Sequence, residues 1–218
     1  MNKIIPKFRD SLFQNATNII QDYAELGIDS FLDEGIVKEI PIIKTIISGK
    51  KIINNIMERN LLKNLVIFIE ELNTGNVDEE KIKKYREELN DSAKAERELG
   101  RFLFLLNQTF DNEKSIMYSK IYKAYINKKI DWNKTLEFTE IVSRMFIQDL
   151  DILEDLYNRK IYTVSNFNTN RTLSFRIERL YSLGIVGYSA KAMYPGGGVE
   201  NFANLNEIGK LFAATIFE

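Results

Sequence analysis

Residues 36–57, IVKEIPIIKTIISGKKIINNIM, constrain the chain more than any other stretch: nearly half of these positions are isoleucine, and whatever covers them sets the architecture. A spanning helix needs about 20 predominantly apolar residues, and here Lys38, Glu39, Lys44, Lys50 and Lys51 interrupt the run every few positions. It is not a membrane span as written. At about 100° per residue, Ile36, Ile40, Ile43 and Ile47 fall on one face and Ile42, Ile46, Ile53 and Ile56 on a neighbouring one. That arc is too wide for a single amphipathic stripe. Pro41 disfavours helical geometry at Ile40 and removes a backbone donor, and Ser48-Gly49 is a weak point further on. The segment therefore reads as two short helices or one kinked one. It is expected to be buried on most sides, with Ile43, Ile46 and Ile47 internal, because helices apolar all round normally form core. A second reading rests on charge: residues 36–64 carry Lys38, Lys44, Lys50, Lys51, Arg59 and Lys63 against Glu39 and Glu58. Such a cationic excess suits anionic lipid headgroups. On that reading a trigger exposes the segment to a membrane, with Lys44, Lys50 and Lys51 as its contacts.

The chemistry available to the chain is narrowed by two absences, since its 218 residues include neither cysteine nor histidine. Disulfides, thiolate nucleophiles, histidine metal ligands, Ser-His-Asp triads and imidazole acid-base catalysis are all excluded. No cofactor is expected, and the chain is expected not to be an enzyme. The amino terminus, MNKIIPKFRDS, has no apolar core of signal-peptide length, so a cytoplasmic location is expected. With a formal net charge of −1, the whole-chain field does not favour nucleic acid. The charge is uneven, however. From Arg159 to the end, seven basic residues face four acidic ones, +3, which leaves −4 for residues 1–158.

Helical periodicity runs through the first 158 residues. Phe8, Leu12, Ala16, Ile19, Ile20 and Tyr23 align over residues 7–24, and Leu61, Leu62, Leu65, Phe68, Ile69 and Leu72 form a broad apolar side over 59–72. Asp78-Glu79-Glu80 opens a surface helix with a thin Ile82, Tyr85, Leu89 stripe, its acids placed where the macrodipole favours them. Residues 92–110 follow, with Leu99, Phe102, Leu103, Leu106 and Phe110 as the core face. The next helix, capped by Asp111 or Asn112, runs to about Ile126. Asp131 caps a helix expected to continue unbroken through Leu136, Ile141, Val142, Met145, Phe146, Leu150, Leu153 and Leu156. Asp149, Asp151, Glu154 and Asp155 read as its wet side and not as a catalytic group.

After Tyr157 the pattern changes. IYTV is strand-like, RTLSFRIERLYSLGIV returns to helix with Leu173, Ile177, Leu180 and Leu183 aligned, and Gly184 ends it as a C-cap glycine. GYSAKAMY and ENFANLN are strand-like runs separated by PGGGV, whose glycines permit a hairpin turn. The final helix is EIGKLFAATIFE. Helix, strand, glycine turn, strand is the order of the second half of a winged-helix module. In it Arg176 and Arg179 are expected to face outward, with Arg171 near the helix start and Lys191 on the first wing strand. These four are the candidate partner-binding residues.

The succession KEIPIIKTIISG, YSKIYKAYINKKIDW, FIQDLDILEDLY and RLYSLGIV resembles helical bacterial and phage proteins of the abortive-infection alpha family, over most of residues 30–218. The resemblance implies a setting, conflict between bacteria and phages, and carries no active-site residue with it. The expectation is a mainly α protein: a helical bundle over 1–158 holding the buried Ile-rich helix 36–57, then a small winged-helix-like α+β module over 159–218. Its expected role is non-enzymatic binding of a partner through the C-terminal module, in defence or counter-defence. Protein stands slightly ahead of nucleic acid as that partner, since four cations with Glu178 among them support weak phosphate contact at most. The alternative is a membrane-perturbing abortive-infection effector that uses residues 36–57.

Overall fold

The computed structural model describes residues 4–13, 40–48, 56–74, 78–158, 162–163, 170–192 and 199–218, with only the backbone described at 191, 192 and 199. The protein is mainly helical, with a small three-stranded antiparallel sheet. In order, the helices are α1 (Ile4–Ser11), α2 (Pro41–Ser48), α3 (Ile56–Asn73), α4 (Glu79–Glu88), α5 (Ser92–Gln108), α6 (Asn112–Ile126) and α7 (Trp132–Arg144). A 3₁₀ turn (Ile147–Asp149) leads into α8 (Leu150–Tyr157), β1 (Tyr162–Thr163), α9 (Arg171–Ser182), β2 (Val186–Ala192), β3 (Val199–Leu205) and α10 (Glu207–Phe217). Contacts divide the chain into two units, Met1–Thr135 and Leu136–Glu218, so that residues 136–158, expected with the bundle, count with the second unit.

In the first unit, the described part of the Ile-rich segment is α2. Its helix starts at Pro41, whose missing N–H is an orphan at a first helical position anyway. Ile40 lies just outside the helix, and its carbonyl accepts from Lys44 N (2.9 Å). Another free donor, Ile42 N, is met by Ser11 Oγ of α1 (3.0 Å). Ile40, Ile42 and Ile43 are buried, whereas Ile46 and Ile47 are only half-buried, contrary to the expectation for those two. Residues 36–39 and 49–55 of the segment, including Lys50 and Lys51, lie outside the described residues. So do residues 14–24 of the expected first helix.

α3 is largely internal, as its pattern predicts. Phe68 on α3 meets Phe8 of α1 (6.0 Å between ring centroids), Phe102 of α5 (5.5 Å) and Tyr122 of α6 (5.8 Å). These rings bring four helices to one centre. Asn64 donates to the Leu106 and Thr109 carbonyls (both 2.8 Å), satisfying the open end of α5. Lys123 of α6 donates to the Glu71 and Thr74 carbonyls (2.6 Å each) at the end of α3. Asp78 and Asp91 cap α4 and α5 through their side chains, as their positions before the apolar runs suggest. Phe110, expected on the core face of α5, is exposed. The helix ends at Gln108 and Thr109 is extended, which takes Phe110 off the helical stripe.

In the second unit the expected continuous helix is broken. α7 stops at Arg144, Phe146 is extended (φ −83°, ψ 127°), and the helix resumes at Leu150. Phe146, expected in the core, is exposed. The sheet has the order β1-β3-β2, with Tyr162 opposite Ala203 and Val186 opposite Leu205. Gly184 has φ +75°, a left-handed conformation that favours glycine, and it ends α9 as expected. Asn206 then ties three elements together: Nδ2 donates to the Gly184 carbonyl (2.8 Å), the backbone N–H donates to Ile185 O (3.2 Å), and Oδ1 caps α10 by accepting from Gly209 N (2.8 Å). Gly209 lies against the Ile185 carbonyl, where a Cβ would fall 1.9 Å from the oxygen.

Candidate functional site

The break between α7 and α8 has a chemical outcome. The 3₁₀ turn carries Asp149 inward, to 1% exposure, instead of leaving it on the wet side of a continuous helix. A lone buried carboxylate is unfavourable unless paired and hydrogen-bonded, and α9 supplies the pairing. Arg176 Nε donates to Asp149 Oδ1 (3.0 Å), and Arg179 Nε donates to Oδ2 (2.7 Å) while its Nη2 donates to Oδ1. Arg176 Nη2 also reaches Asp151, which is 71% exposed. The bonds to Asp149 raise the Arg179 pKa above its ordinary value. Partial burial opposes the Arg176 charge, but its hydrogen bonds to Asp151 and Asp149 outweigh that and raise its pKa too. Finally, the Arg179 guanidinium sits 4.9 Å from the centre of the exposed Phe146 ring, a cation–π geometry.

The four candidate partner-binding residues thus have different surroundings. Ile177 and Leu180 are buried and Leu173 half-buried, close to the expected inward face of α9. Arg176 and Arg179 are turned onto Asp149, with side chains 21% and 38% exposed, because the buried carboxylate draws them off the outward face. Arg171, the first residue of α9, is exposed. Lys191 lies on β2 opposite Glu200 in register. Charge shifts in the same direction. Residues 136–158 add six carboxylates against Arg144, taking the formal charge from +3 for residues 159–218 to −2 for the unit Leu136–Glu218.

What α9 and β2 present instead is aromatic. Phe175 is 65% exposed, Tyr181 50% and Tyr188 41%. Tyr181 and Tyr188 lie 5.4 Å apart between ring centroids, with their planes at 35°. The Tyr188 hydroxyl donates to Glu178 Oε1 (2.7 Å), and burial, then the Glu178 carboxylate, push its pKa up to about 12. It stays a neutral donor at physiological pH.

The first unit holds a second polar centre. Glu98 on α5 is buried and accepts from the Tyr85 hydroxyl (2.6 Å) and the Tyr125 hydroxyl (3.1 Å), while Tyr85 and Tyr122 hydroxyls lie 2.7 Å apart. Lys94 and Arg97 lie 3.8 and 3.3 Å from its carboxylate. Burial, above all, raises the pKa of all three tyrosines far above the ordinary phenol. Every hydroxyl is satisfied within the helices, which suits a structural network that fixes the mutual register of α4, α5 and α6. A cavity of about 270 Å³ in the same unit is lined by Ile5, Pro6, Arg9, Leu89, Asn90 and Ala95, among others. Arg9 already bonds Asn90 there (3.4 Å).

Sequence patterns did not reveal Asp149, Glu98 or the tyrosine pair. The available signals were weak: Arg176 and Arg179 share one side of a helix, and buried tyrosines need a partner for each hydroxyl. Lys44, of the three expected membrane contacts, is exposed on α2. No helix among the described residues is long and apolar enough to cross a membrane, and no group of three or more acidic side chains among them could hold a metal ion. Compared with known proteins, the chain matches no protein-family model, and no curated protein or solved structure matches it.

Proposed function

We propose that this is a non-enzymatic cytoplasmic interaction protein whose C-terminal unit is a winged-helix-like module that binds a protein partner. The sheet order β1-β3-β2, with α9 directly before the β2–β3 pair, supports the winged-helix reading. The observation that carries the choice of partner is the pairing of Arg176 and Arg179 with Asp149. Phosphate recognition needs cations free to replace counterions, and these two already have a counter-charge, in a unit of net charge −2. Exposed Phe175, Tyr181 and Tyr188 supply what protein interfaces favour, aromatic side chains on a rigid scaffold. The resemblance to the abortive-infection alpha family supplies the setting of conflict between bacteria and phages.

Phage challenge of bacteria that express the chain tests this reading, with Phe175→Glu as the surface variant. The wild type is expected to change plaque formation, and the variant to lose the effect while melting as the wild type does. Plaque counts equal to those of cells lacking the chain would remove the setting; salt-sensitive DNA binding by the purified wild type would replace protein by nucleic acid as partner. A second reading, membrane contact by the Ile-rich segment, is favoured by one observation: Ile56 and Met57, at the start of α3, are exposed beside the cationic stretch. Sedimentation with anionic vesicles, lost in high salt, is its expected signature.

A further inference from the structure

We propose that Glu178, Tyr181 and Tyr188 form a receptor for a lysine or arginine side chain of the partner, an inference that rests on the protein-binding reading above. Charge complementarity is the argument. With Arg176 and Arg179 held by Asp149 and Asp151, the charge left on this part of α9 is the exposed carboxylate of Glu178. No lysine or arginine among the described residues pairs with Glu178. Among the described residues its side chain takes a hydrogen bond from the Tyr188 hydroxyl, which occupies Oε1 and holds the carboxylate beside the phenol ring.

The neighbouring rings complete the site. Tyr181 lies three residues after Glu178 on the helix, on the same side, and its ring is 5.4 Å from that of Tyr188. Tyr181 is half exposed, and an aromatic face attracts a cation placed over it; Tyr188 contributes through its hydroxyl, which holds the carboxylate. A guanidinium stacked on a ring while bonding a carboxylate is a combination the unit already uses internally, where Arg179 sits over Phe146 and bonds Asp149. Phe175, one turn before Glu178 and more exposed than either tyrosine, lies ready for an apolar neighbour of the basic residue. The helix expected to offer Arg176 and Arg179 to a partner thus offers a carboxylate beside an exposed aromatic ring.

Titration of the full chain with an arginine hexapeptide, followed by NMR of the tyrosine ring protons, tests the proposal. Saturable shifts of Tyr181 and Tyr188 are expected, with hexaglutamate causing none. Glu178→Gln should lower the affinity about tenfold, the loss of one charge-assisted bond. Tyr181→Ala should lower it severalfold although no charge changes. Glu154→Gln, which removes an exposed carboxylate of α8 that takes no part in the site, should leave it unchanged. Absence of saturable binding, or equal loss in the two carboxylate variants with none in Tyr181→Ala, would overturn the proposal, because binding would then be absent or merely track net charge. Its failure is separable from that of the protein-binding reading, which the Phe175→Glu phage challenge decides independently.

Discussion

Replacing Asp149 with Asn tests whether one buried carboxylate holds the second unit together and masks its arginines. The side chain keeps its shape and loses its charge, so three charge-assisted bonds from Arg176 and Arg179 are weakened at once. Stripping one partner from a buried ion pair costs about 3–5 kcal/mol. That range is an upper bound here, because the arginine side chains are 21% and 38% exposed and can rehydrate. Arg176 also keeps Asp151. Hydrogen bonds to charged groups contribute about 1.5–3 kcal/mol each, and with this discount the net loss comes to about 2 kcal/mol. For a domain of roughly 60–100 residues that lowers Tm by on the order of 10 °C. Calorimetry of the variant beside Asp151→Asn gives the comparison, since the exposed Asp151 should matter by no more than about 0.5 kcal/mol. A second readout tests the masking: the released Arg179 guanidinium should give Asp149→Asn a DNA-binding salt slope steeper than wild type by about one. An Asp149→Asn protein that melts with the wild type would refute the structural argument. Unchanged DNA binding in a folded variant would refute the masking argument.

Gly209→Ala should destabilise by about 3 kcal/mol or more, because its Cβ would lie 1.9 Å from the Ile185 carbonyl oxygen and backbone must move. Gly100→Ala, in mid-helix on α5 with nothing within 4 Å of the added carbon, should instead stabilise by about 0.5–1 kcal/mol, and thermal melts of the two variants check both signs. Alkaline titration examines the Glu98 network. Tyr85 and Tyr122 have folded pKa values raised far above that of the unfolded chain, so the unfolded state alone loses their protons above about pH 10. The stability they contribute is fully present below that pH and falls above it, by about 1.4 kcal/mol per pH unit for each tyrosine. Phenolate absorbance should therefore show these two ionising only as circular dichroism reports unfolding; their ionisation in the folded protein would contradict the burial.

The elements were legible because their signals are local. An Asp just before an apolar run caps a helix wherever that run packs, as Asp78 and Asp91 do. Gly184 takes a left-handed φ because the chain must turn there, and Pro41 opens a helix because its ring already has the required φ. The inward positions of α9, Ile177 and Leu180, follow from a spacing of three that no partner alters. The break at Phe146 could not be read the same way. Residues on both sides of it keep helical periodicity, and the stretch between them, SRMFIQD, holds no proline or glycine to mark a stop. Asp149 is one acidic residue among several in sequence, and only the approach of α9 with Arg176 and Arg179 makes its burial tolerable. Glu98 likewise sits in a charged run, AKAERE, that reads as solvated surface until Tyr85, Tyr122 and Tyr125 surround it. Periodicity and capping are set by neighbours within a few residues and so are written in the sequence. Which charges are neutralised, and therefore what the surface can bind, depends on pairs 27 and 30 residues apart that only the tertiary structure brings together.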